Sequence, residues 1–440
     1  MPTLPSRHSP LWEQAGTILN ANWRGGYTVP SAEQYPFQWN WDAGFIALGR
    51  FHLNREEAFQ ELRSLFKGQW KNGLLPHILF HEQNEAYFPG PEIWQSRCSP
   101  YAPEIPTSGI IQPPVVGFVL EAMYDRAEDP HPVLAFTEEI FPQMIAFHRY
   151  LYTHRDPRQE GLVYIRHNWE SGTDNSPTWD APLGRIRIET PLDLASLRRD
   201  LHHVDAAQRP PDEEYQRYLY LVQLFVRCGY DEAAIYRECP FLIQEPLING
   251  LLVRSNQALI RLGEQIGASV SEVRDWNRAT IEAMNRKLWN PRTRFYDAWD
   301  LVADAPIEVA SSSGIVPPLF AGVPDARRAA EMVRTLETTL SPRDYYLCPS
   351  FSPLQETFEP QRYWRGPVWI NMNWMLYHGL LRYGFDDLAQ RVLADTLELL
   401  EWYGFYEYFD PRRDHGAGYG AKNFSWSAAL ALDLLQTSSP

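Results

Sequence analysis

Three times this chain passes from a tryptophan-bearing loop straight into an apolar helix. The passages are WNWDAGFIALG from Trp39, RGPVWINMNWMLYHGL from Arg365 and KNFSWSAALALDLL from Lys422. Two segments that precede helices also rhyme, NPRTRFYDAWD from Asn290 and DPRRDHGAGYG from Asp410. A repeating unit of this kind buries its apolar face against its neighbours, so the repeats must stack. Apolar residues recur at helical spacing over 11–23, 55–71, 133–152, 247–267, 269–289, 324–339 and 386–402. A further helix begins near Gly109 with Gln112 just inside it, and 190–230 reads as helical apart from a break at AQRPPDEEY. The pair Ser269 and Glu272 has the spacing of a capping box at the start of 269–289. Little of the chain alternates with period two. About twelve helices joined by long aromatic loops predict an all-α (α/α)6 toroid, with its loops gathered at one end. An open helical solenoid is the alternative. Division of the length by ~150 suggests three domains, but a closed ring of repeats exceeds that size as one unit. Residues 1–440 therefore read as a single domain, with an insertion or cap at 155–215.

Composition excludes several classes of function. The formal net charge is -15, from 40 basic and 55 acidic residues, without a basic run or stripe. Nucleic acid and anionic membrane surfaces are not its partners on that reading. No stretch approaches ~18 continuous apolar residues, the length of a membrane span. The segment MPTLPSRHSPLW lacks the apolar core of a signal peptide. Cys98, Cys228, Cys239 and Cys348 are scattered without metal-ligand spacing, which suits free thiols in a reducing cytoplasm. No HExxH motif occurs among the 12 histidines, so neither a metal nor another cofactor is expected. No pattern fixes whether the chain forms a homo-oligomer.

The segment His167 to Asp180, HNWESGTDNSPTWD, sets Glu170 and Asp174 between Trp169 and Trp179 in a stretch rich in turn formers. Aromatic surroundings disfavour the charged carboxylate and raise its pKa, which a proton donor needs near neutral pH. A plain turn with packed rings is the competing reading. Glycosidic cleavage needs a second carboxylate on another loop. The strongest candidate is Glu407 in FYEYFDP, while Asp410 before Pro411 suits a turn and Glu170 a supporting hydrogen bond. The abundance of rings, 16 Trp and 23 Tyr, suits a sugar pocket whose aromatic faces meet C–H groups. Trp12, Trp70, Trp276 and Trp289 fall on helix faces and read as core.

WESGTDNSP, FQWNWDAGF, YWRGPVWINMNW and the closing FYEYFDP…GAKNFSWSAAL together resemble glycoside hydrolase family 63 and its (α/α)6 relatives. The resemblance runs from about residue 20 to the end. Without a large extra β-domain, the chain is most similar to the bacterial branch that hydrolyses glucosylglycerate and mannosylglycerate. That resemblance implies an inverting α-glycosidase, with Asp174 as general acid and Glu407 as general base. It further implies a sugar subsite from Tyr35, Trp39, Trp41, Asp42, Gln112, Trp169, Tyr363 and Trp364, and a glycerate end at Arg209 and Tyr215 of RPPDEEY. The implied partner is a small anionic sugar, a hexosyl-glycerate.

A glycerate carboxylate also calls for a local cation in an acidic protein. Arg209 precedes two prolines that stiffen its loop; Arg365 and Arg24 are rivals, and an exposed Arg209 balancing Asp212, Glu213 and Glu214 is the plainer alternative. For Asp42, the plainer reading is an acid in the first turn of a helix. His81 and His167 read as hydrogen-bonding neighbours of the site. Three other functions stay open at this level: a hydrolase of trehalose or another neutral α-glucoside, a non-catalytic sugar-binding toroid, and a lyase or epimerase.

Overall fold

Long apolar helices without a polar face have to be enclosed by others, and here they are. The computed structural model describes residues 9–84, 86–200 and 205–437. Within it, six inner helices form a ring: Asn40–Leu53, Val116–Arg126, Pro246–Gln265, Val316–Ala321, Ile370–Arg382 and Ser425–Thr437. Each packs on the next, and Ser425–Thr437 packs back on Asn40–Leu53 to close the circle. The enclosure is nearly complete: in Asn40–Leu53 every residue from Asn40 to Arg50 is buried, whichever way it faces. Six outer helices alternate with these along the chain: Pro10–Asn22, Arg55–Phe66, His131–His154, Ser271–Ala283, Ala326–Thr335 and Asp386–Tyr403. The outer helices are amphipathic, with arginines and acids facing out, as in ARRAAEMVRT. The architecture is the all-α (α/α)6 toroid expected from the repeated passages.

The loops before the inner helices converge at the helices' N-terminal ends. Between His154 and Pro246 the alternation is interrupted. There Tyr164–Ile165 pairs with Ile243–Gln244, which pairs with Ala298–Asp300 and, through it, with Ala305–Ile307, in a four-stranded antiparallel sheet. The same stretch contributes helices Asp212–Arg227 and Glu232–Glu238. Below the loops, Phe45, Phe118, Trp374 and Trp426 meet across the bore with centroids 6.1–6.4 Å apart, and they floor the loop end.

Several local expectations are corrected. The helix expected near Gly109 starts only at Val116, so Gln112 lies in a loop. Pro113 and Pro114 are the reason: a proline disfavours helical geometry in the residue before it and has no N–H to donate. Ser269 does not open a capping box, because the helix begins at Ser271 with Val270 at its cap. The span 55–71 ends as a helix at Phe66. Of 190–230, only Leu194–Leu197 and Asp212–Arg227 are α-helical among the described residues. The reading of MPTLPSRHSPLW falls mainly on residues 1–8, outside the described residues. Among the described residues, no helix is long and apolar enough to cross a membrane.

Candidate active site

The loop carrying Asp174 is built by side chains that stand in for missing backbone partners. His167 Nδ1 accepts from the Trp169 N–H at 3.1 Å and opens a short turn at Asn168–Ser171. Its Nε2 then carries the proton and donates to the Tyr218 carbonyl at 3.0 Å. Gly172 closes the turn at φ +74°, and a Cβ there would lie 2.6 Å from the Trp41 ring. Asn168 Nδ2 donates to the Asp174 carbonyl at 2.8 Å, and Asn175 Oδ1 accepts from the Trp364 N–H at 2.9 Å. Asp174 is thus fixed from both sides, with Tyr363 Oη donating to its Oδ2 at 3.3 Å.

Glu407 lies on strand Tyr406–Phe409, paired with Gly418–Lys422. The register shifts between Tyr419 and Lys422, a bulge that turns the Ala421 N–H onto Glu407 Oε2 at 3.0 Å. Gly420 in that bulge has φ +71°, and a Cβ there would sit 2.3 Å from the same oxygen. Tyr35 Oη donates to Glu407 Oε1 at 2.8 Å.

A single pocket at the loop end is lined by Asp174 and Glu407 and also by Tyr35, Trp39, Trp41, Asp42, Gln112, Trp169, Arg209, Tyr215, Tyr363 and Trp364. All the site residues named from the sequence are therefore neighbours in space. Gln112 gains a definite task from its loop position. Its Oε1 accepts from the Trp41 N–H at 3.1 Å, at a helix start whose cap residue, Trp39, offers no side-chain acceptor. Asp42 follows in the first turn, so the helix-start reading and the pocket reading hold together. Tyr215 presents its ring, because its hydroxyl donates to the Phe88 carbonyl at 3.0 Å.

Asp42, Asp174, Asp200 and Glu407 share this space with one arginine, Arg209. Desolvation pushes the Asp174 carboxyl up to about 7, with Tyr363 and Arg209 opposing and the Glu407 charge adding. Desolvation, then the charge of Glu407, also holds Asp42 well above the usual carboxylate range. Arg209 is 4 % exposed. Its Nη2 donates to Tyr35 Oη at 2.8 Å and to Glu407 Oε2 at 3.3 Å, while its Nε has no partner among the described residues. The guanidinium lies over the Tyr363 ring, 4.8 Å from the centroid.

The rival residues are engaged elsewhere. Glu170 is fully buried in a paired fork with Arg155 at 2.8 and 2.9 Å, and it accepts from the Ile111 and Arg166 N–H groups. Arg365 pairs with Asp180, and the exposed Arg24 donates to the Ala21 and Trp23 carbonyls. Asp410 accepts from Arg412 in a turn. His81 meets Gln38 at 2.9 Å. Sequence reasoning did not single out His77, Gly172, Asp200, Trp369 or Trp426, all of which line the pocket. Trp369 and Trp426 stood within the rhyming passages, so their signal was present. Asp200, held by Arg198 at 2.7 Å, and His77, stacked on Trp169, stand alone in the sequence.

Comparison with known proteins agrees with this geometry. Residues 35–427 match the model of the mannosylglycerate hydrolase MGH1-like glycoside hydrolase domain. A mannosylglycerate hydrolase of Thermus thermophilus is 45 % identical over 427 residues, 95 % of this chain and 99 % of that protein. A glucosylglycerate hydrolase of Mycolicibacterium hassiacum is 31 % identical over 450 residues, 97 % of each chain. A crystal structure of a family 63 mannosylglycerate hydrolase from Thermus thermophilus, in complex with Tris and D-glycerate, superposes with a TM-score of 0.90 at 45 % identity. That alignment covers 96 % of this chain and 99 % of the other. Ring, loop-end pocket and sequence thus agree: the chain belongs to the mannosylglycerate hydrolase MGH1-like family and is a glycoside hydrolase of family 63.

Proposed function

We propose that this enzyme hydrolyses a hexosylglycerate, mannosylglycerate foremost, to the free hexose and glycerate with inversion at the anomeric carbon. The observation that carries the reading is Arg209. A buried guanidinium, hydrogen-bonded through one of its nitrogens in a pocket lined by four acidic residues, suits a site built to receive one more anion. The relatives named mannosylglycerate hydrolase support the manno sugar. The one named glucosylglycerate hydrolase is more distant, at 31 % identity.

In this mechanism Asp174 is the general acid. With its carboxyl pushed up to about 7, it holds a proton near neutral pH and delivers it to the glycosidic oxygen as the bond to C1 breaks. Glu407 takes a proton from water, whose oxygen forms the new bond to C1 from the opposite face. Asp174 ends ionised and Glu407 protonated, and exchange with solvent restores both. Tyr35, Trp39, Trp41, Asp42, Gln112, Trp169, Tyr363 and Trp364 hold the hexose. Arg209 takes the glycerate carboxylate, and Tyr215 packs its ring at that end. Residues 1–440 act as one catalytic domain, to which 155–215 adds a cap, and the enzyme works in the cytoplasm.

The test is proton NMR of the reaction with α-mannosylglycerate and, separately, α-glucosylglycerate. Early β-hexose is expected, released faster from the manno substrate. Early α-hexose would mean retention and would reassign Glu407 as a nucleophile. Release from trehalose alone would move the substrate to a neutral α-glucoside.

A further inference from the structure

Glu407 is already engaged by the protein's own groups. Tyr35 Oη donates to Oε1 at 2.8 Å, and the Ala421 N–H and Arg209 Nη2 donate to Oε2 at 3.0 and 3.3 Å. Nη2 also donates to Tyr35 Oη at 2.8 Å, which closes a triangle of Tyr35, Arg209 and Glu407. An ionised carboxylate offers ~four acceptor positions, so three donors leave little room to hold a water. The donor from Arg209 is charged, and charge-assisted bonds are roughly twice as strong as neutral ones. A carboxylate that must draw a proton from water is here restrained by a cation.

The restraint is reversible by chemistry the substrate itself carries. Among the described residues, Arg209 is the one arginine lining the pocket, and no lysine joins it. Tyr35 and Ala421 bond Glu407 without carrying charge, so only the Arg209 contact can be competed away by an anion. Its planar fork matches a carboxylate better than the single long bond it makes to Glu407.

We infer that Arg209 is a specificity-determining residue that couples the aglycone to the base: it restrains Glu407 in the free enzyme, and the glycerate carboxylate releases Glu407 by taking over the guanidinium. The inference rests on the proposed roles of Arg209 and Glu407. It makes the substrate's negative charge a requirement for turnover as well as for affinity. A neutral aglycone binds the same sugar subsite yet leaves the base restrained.

The experiment compares α-mannosylglycerate with α-mannosylglycerol, in which –CH2OH replaces the carboxylate, on the wild-type enzyme and on Arg209→Gln. In the wild type, kcat for the neutral substrate is expected to be at least tenfold lower. In Arg209→Gln, KM for mannosylglycerate rises at least tenfold, while kcat for mannosylglycerol rises several-fold above the wild-type value. An arginine that only anchors the carboxylate would leave kcat for mannosylglycerol unchanged in the variant, and that result overturns the inference. Equal kcat for the two substrates in the wild type overturns it as well. A second measurement needs no variant. Formate added to wild-type enzyme with methyl α-mannoside is expected to raise turnover saturably, and flat or falling rates count against the coupling. Absence of any mannosylglycerate hydrolysis by the wild type would instead remove the proposed function, so the two failures are separable.

Discussion

At the far end of the bore, Arg126 meets Asp433, Arg254 meets Glu121, and Arg261 meets Asp125. At the loop end, Arg209 is the one arginine lining a pocket with Asp42, Asp174, Asp200 and Glu407, of which Asp200 is paired with Arg198 outside it. The same residue types, set on the same inner helices or the loops before them, give opposite electrostatics. Asp433 accepts from His52 at 2.9 Å, from Trp374 Nε1 at 2.8 Å and from Arg126 Nη2 at 2.8 Å. Burial alone would push its carboxyl up, but Arg126 and His52 overcome that and hold it well below the usual range. Asp174 receives one side-chain hydrogen bond, from Tyr363, and its carboxyl goes up to about 7. A carboxylate surrounded by donors secures packing. One left short of donors keeps a proton to give, at a cost to stability that the closed ring absorbs.

The largest way to break the comparison is to remove the acid or the base. Asp174→Asn and Glu407→Gln are each expected to lower kcat/KM by roughly 10³–10⁴-fold. Asp174→Asn should not lower the thermal midpoint, whereas Glu407→Gln removes the ionised partner of the buried Arg209 and is expected to lower it. Initial rates beside a melting curve check this; a melt of Asp174→Asn that collapses with activity would mark that carboxylate as structural. The far end should answer in reverse. Asp433→Asn strands Arg126 and is expected to cost about 3–5 kcal/mol of stability, as loss of one partner of a buried pair does. Its kcat should stay within about twofold of wild type, given the aromatic floor between the two ends. Denaturant titration with parallel turnover measurements decides it, and a kcat that falls in step would show the two ends to be coupled.

Gly420 sharpens the comparison at one atom. Its φ of +71° disfavours any side chain, and an alanine Cβ would sit 2.3 Å from Glu407 Oε2. Gly420→Ala is expected to displace that carboxylate and lower kcat about 10–100-fold, since small misplacements of reacting groups are costly. Stability should fall by only about 1–2 kcal/mol. Steady-state kinetics and a melt check this, and an unaltered kcat would mean that Glu407 tolerates displacement and that its placement by the bulge is unimportant.

The ring was legible because its signal is periodic. Helical spacing and three rhyming passages repeat, so misplacing one helix start, as at Gly109, leaves the architecture intact. The pocket was legible where acids and rings share a Gly/Pro loop, as in WESGTDNSP and FYEYFDP. Glu170 and Asp174 looked alike in sequence, four residues apart in one loop. What separates them is Arg155 and Arg166, which the fold brings onto Glu170 alone. His77 and Asp200 belong to no pattern, because only tertiary packing places them at the pocket. Gln112 lies in a loop and not in the helix that its sequence predicts, since the two prolines after it outweigh the apolar periodicity that follows.

The mildest expected effect is the one in which the two ends differ in sign. Asp433 has a depressed carboxyl, so its contribution to stability is present above the unfolded value of 3.8 and is lost as pH falls below it. Asp174 is raised from 3.8 to about 7, so the native state binds a proton that the unfolded chain has released. Its burden on stability is absent below about pH 4, grows as pH rises toward 7 and is constant above that. Each pKa unit corresponds to about 1.4 kcal/mol, so three units set a ceiling near 4 kcal/mol. Asn in place of Asp neither ionises nor accepts as strongly from Tyr363, and a gain of about 1–3 kcal/mol remains. Asp174→Asn should therefore be more stable than wild type at pH 8 and equal to it near pH 4. Denaturant midpoints measured at both values test this. A difference that does not change with pH would mean that Asp174 keeps its ordinary carboxylate pKa in the fold, and near neutral pH it would then have no proton to donate.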